Sequence, residues 1–352
     1  MNFNKLLGVL LVIFLISSCN KEEPSSTDTY ESFKNGILVL NEGLFQQNNS
    51  TLSWIDQTND EVTANIFQTI NGRALGDTGN DLKRYGGNIY VVMNGSSTVE
   101  VISASTLKSI KQIALQHNGQ AQQPRKIAFR NSKAYVTTFD GFVNVIDTTS
   151  LTVEHRIGVG QNPEGLAIFG DQLFVCNSGG LNFPDVDSTV FQIDLNTNVV
   201  TDTFVVGANP GDIEVSNSGI VYAVKRGDYN ANPSELIRID PVSGSVENLG
   251  IFASVLHKHD ADLFISYYDY NTQQSNVSHF DMEQEVMVSQ SMIESQEVQT
   301  LYGTHYLTGF GLAYFDAMSF TNQGYLKIIN ENGSLKQTYS VGLNPNNVVY
   351  YE

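Results

Sequence analysis

The densest set of metal-ligand residue types in this chain of 352 residues is His257-Lys258-His259-Asp260. On an extended strand alternate residues share a face, so both imidazoles would point one way. No third imidazole or thiolate stands nearby in sequence, so the segment reads as a solvated connection before it reads as a metal site. A second series places an acid after an apolar residue or pair: Trp54-Ile55-Asp56, Val145-Ile146-Asp147, Gln192-Ile193-Asp194, Arg238-Ile239-Asp240 and His279-Phe280-Asp281. An Asp at the start of a hairpin accepts backbone N–H bonds, so this series is turn chemistry rather than a catalytic row. Cys19 and Cys176 support neither a disulfide framework nor a four-thiolate site. Cys176 closes the apolar run Leu173-Phe174-Val175-Cys176 and is expected as a buried, inert thiol. There is no Gly-x-Ser-x-Gly elbow, no His-Glu-x-x-His and no phosphate loop. The residues therefore point to no catalytic set, no metal site and no resident cofactor, and the expectation is a protein that is not an enzyme.

Charge narrows the partners. Nineteen Lys+Arg against 37 Asp+Glu leave a net charge of −18, which repels phosphate backbones and excludes nucleic acid. Apolar residues reach 41% with only 16% charged, a composition that folds. Near the start, Lys5 precedes an unbroken apolar run from Leu6 to Ile16, too short to span a bilayer as a helix. Ile16-Ser17-Ser18-Cys19 resembles the bacterial lipobox, which implies a signal peptide over 1–18 and acylation of Cys19. Several acyl chains at ~0.8 kcal/mol per buried CH₂ give a stable anchor. Asn20-Lys21-Glu22-Glu23 resembles the export signal of Bacteroidetes surface lipoproteins. That resemblance implies display on the outer face of the outer membrane, on a flexible lipidated tether over 19–35.

The elements that position everything else come from a repeat. An apolar strand recurs as Ile37-Leu38-Val39-Leu40, Ile89-Tyr90-Val91-Val92, Ala134-Tyr135-Val136-Thr137, Leu173-Phe174-Val175-Cys176, Val221-Tyr222-Ala223-Val224, Leu263-Phe264-Ile265-Ser266 and Leu312-Ala313-Tyr314-Phe315, at steps of 39 to 52 residues. Gly160-Gln161-Asn162-Pro163, Gly207-Ala208-Asn209-Pro210 and Gly342-Leu343-Asn344-Pro345 mark turns between units, with Gln123-Pro124 a degenerate copy. These turns should deliver Glu164, Asp212 and Asn346 near a central channel. Each unit holds four short strands rich in Val, Ile, Phe and Tyr, and no segment carries a sustained helical stripe. The expectation is an all-β, seven-bladed β-propeller over 36–352, four strands per blade. The final strand, from Asn344 to Tyr351, copies the innermost position but has no outer strands after it. Those lie at residues 37–68, so the C-terminal strand should complete the first blade, and deleting residues 344–352 should abolish cooperative folding.

In such a ring one face carries the connections between blades and between each blade's second and third strands. Here that face receives aromatic, amide and basic residues on long loops: Asn41, Glu42, Phe45, Asn94, Arg125, Phe139, Asn177, Phe183, Lys225, Arg226, Tyr229, Tyr268, Tyr270, Asp316 and Phe320. Long loops of this composition fit a binding surface for a large, partly apolar ligand with polar edges. Arg125 is expected to contact that ligand, so that Arg125→Glu weakens capture and leaves melting nearly unchanged.

Asn41-Glu42-Gly43, Asn71-Gly72-Arg73-Ala74-Leu75-Gly76-Asp77, Tyr90-Val91-Val92, Pro124-Arg125-Lys126-Ile127-Ala128-Phe129 and Ala134-Tyr135-Val136-Thr137 resemble the YncE-like, seven-bladed surface lipoproteins of Bacteroidetes. The likeness spans about residues 36–352 and is most specific in the first three blades. Members of that family include cobalamin-capturing lipoproteins that partner a TonB-dependent transporter. The resemblance implies a non-enzymatic module that captures a corrinoid (vitamin B12) at the cell surface, with no single contact residue assigned. The sequence is also compatible with two alternatives. One is an accessory protein-interaction propeller of another nutrient-uptake complex. The other is a lactonase-like metal-dependent hydrolase recruiting Asp212, Glu164 and His305.

Overall fold

The computed structural model describes residues 33–228, 232–293, 298–330 and 333–351. Cys19, its signal peptide and most of the expected tether lie outside them. Within them, seven four-stranded antiparallel sheets follow one another around a ring. The first blade pairs Pro345–Tyr351, Gly36–Asn41, Thr51–Asp56 and Glu61–Thr63 in that order from the axis outward, so the two ends of the chain share one sheet. Blades two to seven span 79–114, 124–158, 163–205, 210–252, 255–289 and 301–343. The propeller, its strand count and the closure by the C-terminal strand are as the repeat predicted.

The recurring apolar run is the second strand of each blade. It is buried on both sides, so it reads as continuous hydrophobicity rather than alternation. Side-chain period two then sends neighbours to opposite interfaces. In Gly36–Asn41, Leu38 and Leu40 pack with Leu82, Val91 and Met93 of blade two, while Ile37 and Val39 pack with Leu326 and Ile328 of blade seven. The other five hydrophobic clusters fill the five remaining junctions in the same way. Outer strands face water, and in Ser109–Ala114 only Ile113 is buried. The third-strand acids act as turn formers: Asp147 Oδ1 accepts from the Thr149 and Ser150 amides at 3.0 and 2.7 Å, and Asp194 and Asp240 repeat the pattern.

Three features differ from the sequence reading. The outer strand of blade one stops at Thr63, and Ile66–Asn71 forms a short helix whose Ile66 and Phe67 are buried beneath blades one and two. Its ends are fixed by Asn65, which accepts from the Gln68 amide at 3.3 Å, and by Gly72 in the left-handed region at φ 66°. Six residues are too few to show a helical stripe. A two-stranded ribbon, Gln116–His117 with Gln120–Ala121, interrupts the connection from blade two to blade three. Finally, His257-Lys258-His259 is no solvated connection: it lies in Val255–His259, the innermost strand of blade six.

Candidate functional site

Register defines two faces. The end of each second strand pairs with the start of the innermost strand, as in Asn41↔Pro345, Thr138↔Pro124 and Asn177↔Pro163. The second-to-third strand loops and the blade connections therefore share one face, here called upper. The innermost strands surround a channel cavity of ≈ 600 Å³.

At the upper mouth Glu164 is the hub. Arg125 donates to both its carboxylate oxygens, Nε to Oε2 at 2.8 Å and Nη2 to Oε1 at 3.2 Å, and Arg226 Nη1 reaches Oε1 at 3.2 Å. Burial alone would raise this carboxyl, but the two guanidiniums outweigh it and hold Glu164 down at about 2. Arg125 also lies over the Phe139 ring at 4.7 Å. Across the mouth Tyr302 Oη donates to Glu42 Oε2 at 2.6 Å, and burial raises both the carboxyl and the phenol. The Gly-x-Asn-Pro turns do deliver Glu164, Asp212 and Asn346 to the channel side, Asp212 and Asn346 lining the cavity and Glu164 at its mouth.

The predicted site residues divide sharply. Asn41, Asn94, Asn177 and Asp316 are at most 5% exposed and bound into the frame. Asn41 Nδ2 donates to Thr51 Oγ1 and Ser53 Oγ, Asn94 Nδ2 to Pro124 O, and Asn177 Nδ2 to Thr189 Oγ1. Asp316 accepts from the Gln299 and Thr300 amides and from Lys327 Nζ. Their polarity serves backbone that the turns leave unpaired, so they are not available to a ligand. Arg125 and Arg226 are committed to Glu164, and Lys225 pairs with Glu235 at 2.8 Å. The expectation that Arg125 is dispensable for folding is therefore corrected: its loss would strip a buried carboxylate. Tyr268 belongs to the strand Asp262–Asp269 rather than a loop, its ring edge-on to Tyr270 at 4.9 Å. Tyr229 lies outside the described residues.

What remains is aromatic. Phe45, Phe183 and Tyr270 are exposed on the upper face, and Phe139 and Phe320 are half-buried there. The sequence reading missed Phe252, exposed and stacked on Tyr267 at 5.2 Å, and Tyr302, edge-on to Phe320 at 5.8 Å. Tyr302 is the second residue of the innermost strand Leu301–Leu307, which lacks the Asn-Pro landmark that leads into Glu164 and Asn346, so no signal marked it.

No three His, Cys, Asp or Glu side chains among the described residues are grouped to hold a metal ion. Asp212 accepts from the Leu256 amide at 2.9 Å and lines the channel cavity together with His305, whose ring lies tilted against His257 at a centroid distance of 4.0 Å, while Glu164 is held apart from them by its arginines. Cys176 is fully buried, and desolvation pushes its thiol well above the ordinary range.

Comparison with known proteins places the fold in a family. Residues 35–304 match the family described as Domain of unknown function (DUF5074). The chain belongs to the DUF5074 family. No curated protein sequence matches it. Among solved structures it is similar to the hydrazine synthase of Kuenenia stuttgartiensis, with TM-score 0.57 at 16% identity over 74% of this chain and 85% of that one. It is also similar to a chain of a mitotic checkpoint complex, with TM-score 0.57 at 11% identity over 89% and 97%. Both likenesses concern the propeller fold.

Proposed function

We propose that this DUF5074 propeller is a non-enzymatic capture module that takes a large, partly apolar ligand on its upper face. One observation carries the reading. Among the described residues, four of the five exposed aromatic side chains, Phe45, Phe183, Phe252 and Tyr270, lie on the upper face, and Phe169 lies on the other. Exposed rings gathered on one face, framed by amide-rich loops, mark an interaction surface rather than scattered surface apolarity. The ligand class that fits is a corrinoid, a flat macrocycle edged with amides. The acceptor is a TonB-dependent outer-membrane transporter, and the module is held at the cell surface through acylated Cys19. The path of the described chain supports this arrangement. Phe33 packs edge-on against Trp54 at 4.9 Å, and Gly36 pairs with Tyr351 at the lower end of blade one. The described chain therefore enters blade one on the lower side, opposite the exposed rings of the upper face.

Calorimetric titration of the purified protein with cyanocobalamin and cobinamide tests the reading. Binding is expected, and Tyr270→Ala with Phe183→Ala should weaken it at least about tenfold, as removal of two aromatic anchors does, without changing the urea midpoint. Absence of heat at micromolar protein removes the corrinoid. A co-purifying protein that binds through the same rings, with no small-molecule binding, would make the propeller an interaction accessory instead.

A further inference from the structure

The lower end of the channel has a different chemistry. Although the chain carries −18 overall, the lower mouth is a hollow of ≈ 480 Å³ lined by Arg84, His257, Lys258, His259, His305 and Tyr306. Lys258 Nζ donates to Val215 O at 2.6 Å and Asn217 Oδ1 at 3.0 Å, which leaves it one further proton. Arg84 is exposed and rests its guanidinium over the Tyr351 ring at 5.5 Å. His257 Nε2 is buried and has no hydrogen-bond partner, an arrangement that costs free energy until something fills it. Burial, with the neighbouring imidazoles and Lys83, holds His257 well below the usual histidine range and His305 at about 4, so both stand neutral at pH 7. His259 stacks on Tyr306 at 4.3 Å, with Asp260 on the rim 3.8 Å away. Glu214 and Asp212 line the channel cavity, and desolvation pushes Glu214 up to about 7, which lessens its repulsion of an incoming anion.

We propose that this lower mouth binds a phosphate-class oxyanion, with Arg84 and Lys258 supplying fixed charge and His257 and His305 donating ring N–H bonds. Fixed cations beside neutral imidazoles suit an anion and repel a metal ion. Glu214 loses its charge as pH falls through about 7, and an arriving anion favours that protonated form, so binding takes up protons and tightens as pH falls. The oxyanion could be a soluble phosphate or a lipid headgroup, because the same face receives the chain at Phe33.

The test is calorimetry with sulfate, which keeps its double charge across the range, at about pH 6 and about pH 8, and with inorganic phosphate. Tighter sulfate binding and proton uptake are expected at the lower pH. Arg84→Ala should weaken binding about tenfold, the worth of one charge-assisted hydrogen bond, with the urea midpoint and the cobinamide titration unchanged. Glu214→Gln should tighten it. Vesicles of phosphatidylcholine with and without phosphatidic acid separate the sources. Binding to the acidic vesicles that sulfate displaces assigns a lipid phosphate, whereas sulfate and phosphate binding without vesicle binding assigns a soluble anion. No heat with either anion at millimolar concentration overturns the proposal, as does sulfate binding that Arg84→Ala and His305→Asn leave untouched.

Discussion

Glu164 between Arg125 and Arg226 shows how a residue that looks available in sequence becomes part of the frame. Removing one partner of a buried ion pair leaves an uncompensated charge, and reversing it adds a second carboxylate. Arg125→Glu is therefore expected to destabilise the protein by about 3 kcal/mol, read as a lower urea midpoint. An unchanged midpoint would return Arg125 to the ligand surface. Glu164 and Glu214 also set opposite pH dependences. Glu164 has its folded pKa depressed from 4.5 to about 2, so its contribution is present above about pH 4.5 and lost as pH falls towards 2. Glu214 has its folded pKa raised from 4.5 to about 7, so its contribution is present below about pH 4.5 and lost as pH rises through 7. Glu214→Gln should accordingly raise the urea midpoint at about pH 8 more than at about pH 5; equal shifts at both would show that Glu214 does not titrate in this window.

At the scale of elements, the Gly-x-Asn-Pro turn is the repeating joint. Asn162, Asn209 and Asn344 adopt φ of 41°, 57° and 54°, the left-handed region that asparagine tolerates best after glycine. Asn344 Nδ2 donates to Gly43 O and Asn162 Nδ2 to Phe139 O, which ties these two joints to the neighbouring upper loop. The glycine has a separate reason. A Cβ at Gly342 would lie 2.6 Å from Thr51 Oγ1 and 2.7 Å from Asn41 Cγ, so blade one could not approach. Gly342→Ala should cost roughly 1–3 kcal/mol by overpacking, checked by denaturant midpoint. A wild-type midpoint would mean that the junction can shift. These joints were legible because one spacing recurs with one residue set. The helix Ile66–Asn71 was not, because a single turn buried by tertiary contact leaves no periodic trace. Nor was the lower-mouth cluster, since His305 is separated from His257 by 48 positions and only the ring sets them side by side.

The whole molecule depends on ring closure. The innermost strands touch their neighbours in an unbroken circuit, and Pro345–Tyr351 is the member that meets both blade seven and blade two. Without it, Gly36–Asn41 loses its inner pairing and Val348, Val349 and Tyr351 leave the two clusters that flank blade one. Deletion of residues 344–352 should abolish the cooperative transition in circular dichroism; a truncated protein that melts as sharply as the full chain would show that the ring does not need its clasp. Strand pattern, repeat length and turn chemistry determined the seven blades and which end closes them, because those properties follow from local periodicity and from apolar surface that one blade cannot bury alone. Which polar side chains are spent on the frame was decided only in three dimensions. A carboxylate or amide has the same sequence appearance whether it faces water or an orphaned backbone group, and the packing of neighbouring blades settles which it meets.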